Sequence, residues 1–87
     1  MARLTIREKI RFFRIFRGAL KKLERKKNAS KDHWRTANHK YLLTRLWEEY
    51  NELDEAVINE HSSEDIIDEC YDIINFALFV ADNEGEK

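Results

Sequence analysis

The sequence predicts an all-α fold, and three observations carry that prediction. There is no proline and there are only two glycines, Gly18 and Gly85, in 87 residues, whereas a sheet protein needs turn residues every several positions. Leu, Ile, Glu, Lys and Arg are abundant, and these suit long helices. Apolar residues recur at three- and four-residue steps in three separate stretches. A chain this short makes one domain, and it buries only ~60% of the surface its unfolded form exposes. Its one cysteine, Cys70, cannot build a disulfide framework, has no metal-ligand spacing around it and points to a reducing compartment. The stabilisation that the small core lacks is therefore expected from a partner chain.

The first helix is expected over Thr5 to Lys27. Ile6, Ile10, Phe13, Phe16, Leu20 and Leu23 form one broad apolar face, widened by Phe12 and Ala19. Arg7, Arg11, Arg14, Lys21 and Arg25 make a basic stripe opposite, and Lys26 and Lys27 suit the negative end of the helix dipole. Such a helix can bind membranes, calmodulin-like partners or nucleic acid. With so much aromatic surface, a core helix with a solvated basic side is the better reading.

Asn28 to Asp32 reads as a polar connection. His33, Trp34, Asn38 and His39 follow at the mouth of a second helix, expected to run to about Glu60 with Leu42, Leu46, Tyr50, Leu53 and Val57 on one face. His61-Ser62-Ser63 breaks the pattern. Ser62 followed by Asp65 resembles a capping box, and Glu64 and Asp65 place negative charge where the dipole favours it. A third helix is expected to about Ala81. From Ile73 to Ala81 it is apolar nearly all round except at Asn75, so it must be buried on nearly every side. The expected architecture is a three-helix subunit that completes a four-helix-type bundle by homo-oligomerisation, as a homodimer or homotetramer. Residues 1–87 form the single domain, divided into the basic helix over 1–27 and the acidic helices over 33–81.

The net charge of −1 hides an asymmetry. Residues 1–27 carry eleven Lys or Arg against Glu8 and Glu24, a net of +9, and residues 40–87 carry fourteen acids against Lys40, Arg45 and Lys87, a net of −11. Either the halves pack and neutralise each other, or the acids collect metal while the bases collect phosphate. No apolar run approaches the ~20 residues that span a bilayer, and none of signal-peptide length follows the basic start. An organelle transit peptide ranks low because the first helix's apolar face is needed for the core. A cytoplasmic protein without a membrane partner is the expectation.

The chemistry concentrates in Glu48-Glu49-Tyr50-Asn51-Glu52 and Glu69-Cys70-Tyr71-Asp72. Residues three apart on a helix are neighbours, so Glu49 adjoins Glu52 and Glu69 adjoins Asp72. At ~100° per residue, Glu49 lies at the margin of the second helix's apolar face and Asp72 between Phe76 and Phe79. Glu48, Asp54 and Glu55 lie off the apolar face. A carboxylate among buried aromatics costs several kcal/mol unless paired or metal-bound. Four converging carboxylates call for a divalent cation, and all-oxygen ligands suit Mg²⁺, with Mn²⁺ as a substitute. Spacing alone favours an ordinary solvated face, because an E-x-x-E pattern is weak.

The wording around the acids shifts that balance. Leu46-Trp47-Glu48-Glu49-Tyr50-Asn51-Glu52-Leu53-Asp54-Glu55-Ala56 resembles the L-x-E-E-x-x-E-L-x-E-A stretch of MazG-like nucleotide pyrophosphohydrolases, and Glu69-Cys70-Tyr71-Asp72-Ile73-Ile74 resembles their downstream E-x-x-D. The resemblance covers roughly residues 33–81. It implies an all-α oligomeric enzyme that hydrolyses a nucleoside or deoxynucleoside triphosphate to a monophosphate and pyrophosphate. Carried over, Glu49, Glu52, Glu69 and Asp72 would hold Mg²⁺, and Glu48 would orient or deprotonate the attacking water. His33, Trp34, His39 and Asn75 would be nucleotide contacts, and Lys31, Arg35, Lys40 and Arg45 phosphate contacts. From the residues alone, Trp34 equally suits a helix–helix junction and Asn75 a buried hydrogen bond. The long basic first helix and the ending at Lys87 depart from the resemblance, because many MazG-like chains are longer and carry a fourth helix.

Two rivals remain. Phosphoribosyl-ATP pyrophosphohydrolases share the fold and the paired acidic motifs, but little of their surrounding sequence is visible, so they rank below. A non-catalytic helical protein that binds nucleic acid through its basic helix predicts steeply salt-dependent binding. It leaves the acid pairs unexplained and has no base-reading motif, so nucleic acid is an unlikely partner.

Overall fold

In the computed structural model, which describes residues 2–27 and 33–85, the described residues form three α-helices and no strand. Helix α1 spans Ile6–Lys27, α2 His39–Ile58 and α3 Ser63–Gly85, with a single 3₁₀ turn at His33–Arg35. Among the described residues no helix is long and apolar enough to cross a membrane. Helix α3 is central, with α2 packed against it, and α1 and the 3₁₀ turn also contact it.

Local chemistry explains the helix ends. Thr5 donates its backbone N–H to Glu8 Oε1 at 2.8 Å, and Glu8 donates its own to Thr5 Oγ1 at 3.1 Å, a reciprocal capping box. Those bonds hold the Glu8 carboxyl below its ordinary range, the Thr5 backbone contact contributing most. Asn38 Oδ1 accepts from Tyr41 N–H at 2.8 Å and caps α2. Ser62 Oγ accepts from Asp65 N–H at 3.1 Å, as the capping signal at the head of α3 predicts.

Helix α2 ends two residues before the expected Glu60. Glu60 takes φ 54°, donates its N–H to the Val57 carbonyl at 3.2 Å, and His61 donates to the Ala56 carbonyl at 2.9 Å. This paired closure needs a left-handed residue, a role glycine usually fills. Glu60 pays a steric cost there. Glu60→Gly is therefore expected to raise stability by about 0.5–1 kcal/mol, read as a higher urea midpoint at unchanged slope.

Helix α3 runs to Gly85, past the expected Ala81, and its last turn is used structurally. Asn83, buried, donates to the carbonyls of Trp34 at 2.7 Å and Ala37 at 2.8 Å. Trp34 stacks on Phe79 with ring centroids 4.6 Å apart and donates its indole N–H to Asp82 at 3.0 Å. The polar residues after Ala81 thus fasten the segment before α2.

The expectation that α1 lays its whole apolar face into the core is corrected. Only its C-terminal half packs inward, with Ala19 fully buried and Leu20 and Leu23 half-buried. Ile6 is 70% and Phe13 71% exposed, and Ile10, Phe12, Ile15 and Phe16 are exposed as well. With Leu4 and Ile74 the aromatic side chains line an open apolar groove. Gly18 faces Tyr71 of α3 so closely that an added Cβ would lie 2.6 Å from the ring's Cζ. The missing side chain lets α1 approach α3 one turn before Lys22.

Candidate metal centre

Two helix surfaces meet to build the site. Glu49 and Glu52 stand one turn apart on α2, and Glu69 and Asp72 one turn apart on α3. One carboxylate oxygen from each lies within 4.8 Å of the others. The short turn over 59–62 folds α3 back onto α2, which brings the two pairs together.

The electrostatics are those of acids held together against their repulsion. Glu49 is 5% exposed. Burial first, then a hydrogen bond with Glu52 and the charges of Asp72 and Glu52, push its carboxyl up to about 7, against the opposing pull of Arg45. Glu69 is raised by burial and by the charges of Glu52 and Asp72, with Lys22 opposing. Glu49 Oε2 and Glu69 Oε2 are buried without a hydrogen-bond partner. A buried carboxylate oxygen left in that condition costs free energy that a divalent cation recovers. Four carboxylates, two with orphaned oxygens, fit a hard divalent cation such as Mg²⁺ or Mn²⁺.

Two basic residues flank the acids. Arg45 pairs with Glu48 and reaches Glu49 Oε1 at 3.2 Å, and its guanidinium lies 5.2 Å from the centre of the Phe76 ring. Lys22 of α1 is 7% exposed. Its ammonium donates to Asp68 Oδ2 at 2.7 Å and to the Asp68 carbonyl at 3.1 Å, and it pairs with Asp72 Oδ1 at 2.9 Å. Burial lowers the lysine's affinity for its proton, and the two aspartates outweigh it, so the net shift is upward.

The structure brings together the four acids expected to bind metal, with Arg45 at their edge. Glu48 stands apart from that group, tied to Arg45. Lys40 lies beside Leu43, Thr44 and Trp47, about half a helical turn of direction away from Glu49. His39 faces Glu84, with Nε2 3.4 Å from its carboxylate. Trp34 occupies the junction with Phe79. Asn75, 4% exposed, donates to the Ala19 carbonyl at 2.9 Å across the α1–α3 contact, the buried hydrogen bond weighed from the sequence. Lys31 and the His33 side chain lie outside the described residues. Lys22 was missed by sequence reasoning, because it was absorbed into a basic helix. No periodicity signal marks it: at ~100° per residue Lys22 lies about 20° from Arg11, beside the basic stripe, and only its place one turn after Gly18 sets it apart.

With both acid pairs in place, the chain can be set against known families. The model of the family described as phosphoribosyl-ATP pyrophosphohydrolase matches residues 17–85. The chain belongs to the phosphoribosyl-ATP pyrophosphohydrolase family. This is a branch of the all-α nucleoside triphosphate pyrophosphohydrolase superfamily that also holds the MazG-like enzymes. The superfamily that the motifs resemble is thus the chain's own, and within it the matching family is the one ranked second from the motifs. The match begins at Arg17, so the second half of α1, with Gly18 and Lys22, lies inside the family region rather than outside it. Phosphoribosyl-ATP pyrophosphohydrolases are pyrophosphohydrolase enzymes, typically dependent on a divalent metal. No curated protein and no solved structure matches the chain.

Proposed function

We propose that the chain hydrolyses the α–β phosphoanhydride of a nucleoside triphosphate, releasing a monophosphate and pyrophosphate, with Mg²⁺ held by Glu49, Glu52, Glu69 and Asp72. The observation that carries this reading is the convergence of both acid pairs within 4.8 Å with two buried, unpartnered oxygens among them. A divalent cation bound there would neutralise triphosphate charge and acidify a water. Arg45 pairs with Glu49 and with Glu48, and Glu48 would orient a water approaching from solvent. With its carboxyl pushed up to about 7, Glu49 is roughly half protonated near neutral pH without a cation, and a bound cation would displace that proton. A nucleic-acid-binding protein without catalysis would leave the orphaned oxygens of Glu49 and Glu69 without a purpose. A cytoplasmic location accords with the lone thiol of Cys70.

The family match favours a second reading of the substrate, phosphoribosyl-ATP, which carries the same triphosphate bond. Both readings use the four acids identically and differ in what lies beyond the phosphates. A panel of ribo- and deoxynucleoside triphosphates with phosphoribosyl-ATP, assayed for pyrophosphate in Mg²⁺, separates them. The leading reading expects ordinary triphosphates to turn over with kcat/KM at least comparable to phosphoribosyl-ATP. A preference of about a hundredfold or more for phosphoribosyl-ATP would establish the second.

Self-association completes the proposal. A self-sufficient monomer of this mass exposes about 5,400 Å², whereas the chain exposes 7156 Å². The excess of roughly 1,700 Å² is what each subunit of an obligate pair buries. The apolar groove on α1 is the natural place for it, with a second copy of the chain as occupant, in a homodimer or a homotetramer built from such pairs.

A further inference from the structure

Lys22 has no role in the reading above, yet it is the most deeply placed cation near the site. Its ammonium enters from α1 and sits among three oxygens, the carbonyl and Oδ2 of Asp68 and Oδ1 of Asp72, at 2.7–3.1 Å. An ammonium has three donors, so its hydrogen-bonding capacity is filled by this set. An environment made only of oxygens, two of them from carboxylates, is also what a hard divalent cation accepts. Asp72 belongs at once to this set and to the four-carboxylate group.

We propose that Lys22 is a built-in counter-cation, whose ammonium fills the oxygen site between Asp68 and Asp72 and so limits the carboxylate cluster to one resident divalent cation per chain. The proposal rests on the reading of Glu49, Glu52, Glu69 and Asp72 as the metal centre and adds to it a residue that sets how many ions they hold. The fixed charge of Lys22 repels a second ion from the flank of Asp72. It also draws on the negative charge of Asp72, which tempers the affinity of the cluster for the first ion. Gly18, one turn earlier, permits the close helix approach that brings the ammonium to this position.

Lys22 is thus a positioning residue, and its effect is read in metal binding rather than in turnover. Mn²⁺ titration of the intact chain, with free Mn²⁺ followed by paramagnetic resonance, is expected to give one ion per chain for the parent. In Lys22→Met the count should rise to two, or the first ion should bind about tenfold more tightly. Asp68→Asn offers the opposite sign: with Asp68 neutral, the ammonium leans wholly on Asp72, and Mn²⁺ should bind about threefold more weakly at the same count. A folded Lys22→Met with unchanged count and affinity overturns the proposal while leaving the metal centre standing. If that variant fails to fold, unchanged affinity in Asp68→Asn overturns it instead. Failure of the parent and both variants to bind Mn²⁺ would overturn the metal-centre reading and the proposal together.

Discussion

In EDTA at pH 8, Glu49→Gln is expected to melt at a higher temperature than the parent, and in Mg²⁺ to release pyrophosphate about a hundredfold or more slowly. The two effects share one cause. Glu49 is buried among like charges, so the folded state prefers its neutral form and holds the carboxyl at about 7 against 4.5 in the open chain. For a group raised on folding, the stability contributed by the neutral form is fully present below the unfolded value and is lost as pH climbs through the folded one. Over that window the metal-free parent should lose ~3 kcal/mol through this group. Glutamine keeps the shape and carries no charge, so the gap between variant and parent should open from about pH 4.5 and level off above about pH 8. Thermal melts in EDTA from pH 5 to 9 measure it. A gap independent of pH, or a less stable variant at pH 8, would refute the account of Glu49. Asp72→Asn should behave differently, although the sequence ranks the two acids as equals. Neutralising Asp72 strips the buried Lys22 ammonium of one carboxylate partner, so this variant should be inactive and less stable without metal.

Phe13→Asp is expected to abolish the proposed self-association through α1. Phe13 is 71% exposed in the single chain and lines the groove with Leu4 and Phe16. Covering a phenylalanine contributes about 1.5–3 kcal/mol. In an isologous pair each substitution counts twice, which corresponds to a rise of roughly 10²–10⁴-fold in the dissociation constant. Light scattering behind a sizing column over a dilution series reads this directly. A parent that elutes as a monomer at micromolar concentration, or a variant that associates as the parent does, would remove α1 as the interface.

Much of the fold was legible because helical periodicity and capping chemistry are written locally. The apolar steps of Ile6 to Leu23 and of Leu42 to Val57 mark their helices, and Thr5 and Ser62 mark two starts. Other features needed tertiary information. Glu60 closes α2 in a left-handed conformation usually announced by glycine, so the sequence signal for that stop was absent. Asn83 sits in a polar tail, and nothing in that composition reveals that it binds the carbonyls of Trp34 and Ala37. The apolar face of α1 was correctly seen, but only its C-terminal half packs within the subunit, because periodicity reveals an apolar face and not what covers it.

The site divides in the same way. Spacing put Glu49 beside Glu52 and Glu69 beside Asp72, and the burial of both helices made their convergence foreseeable. Lys40, His39 and Trp34 were grouped with the site through the family resemblance, and the structure places them on another helix face, beside Glu84 and against Phe79, respectively. Lys22 arrives from a helix read separately, and only packing reveals that it touches Asp72. The family match includes the end of α1 from Arg17 onward, a segment that the two acidic motifs do not cover.

The central claim is that four carboxylates on α2 and α3 form a metal centre that splits a triphosphate between its α and β phosphates. The most direct measurement is product analysis for the parent and Glu49→Gln, each with a nucleoside triphosphate or phosphoribosyl-ATP, in Mg²⁺ and in EDTA. The account predicts stoichiometric monophosphate and pyrophosphate from the parent in Mg²⁺ alone, and both products at about a hundredth of that rate or less from the variant. Release of inorganic phosphate in place of pyrophosphate, equal turnover in EDTA, or no product from the folded, associated parent with any of these substrates would contradict it.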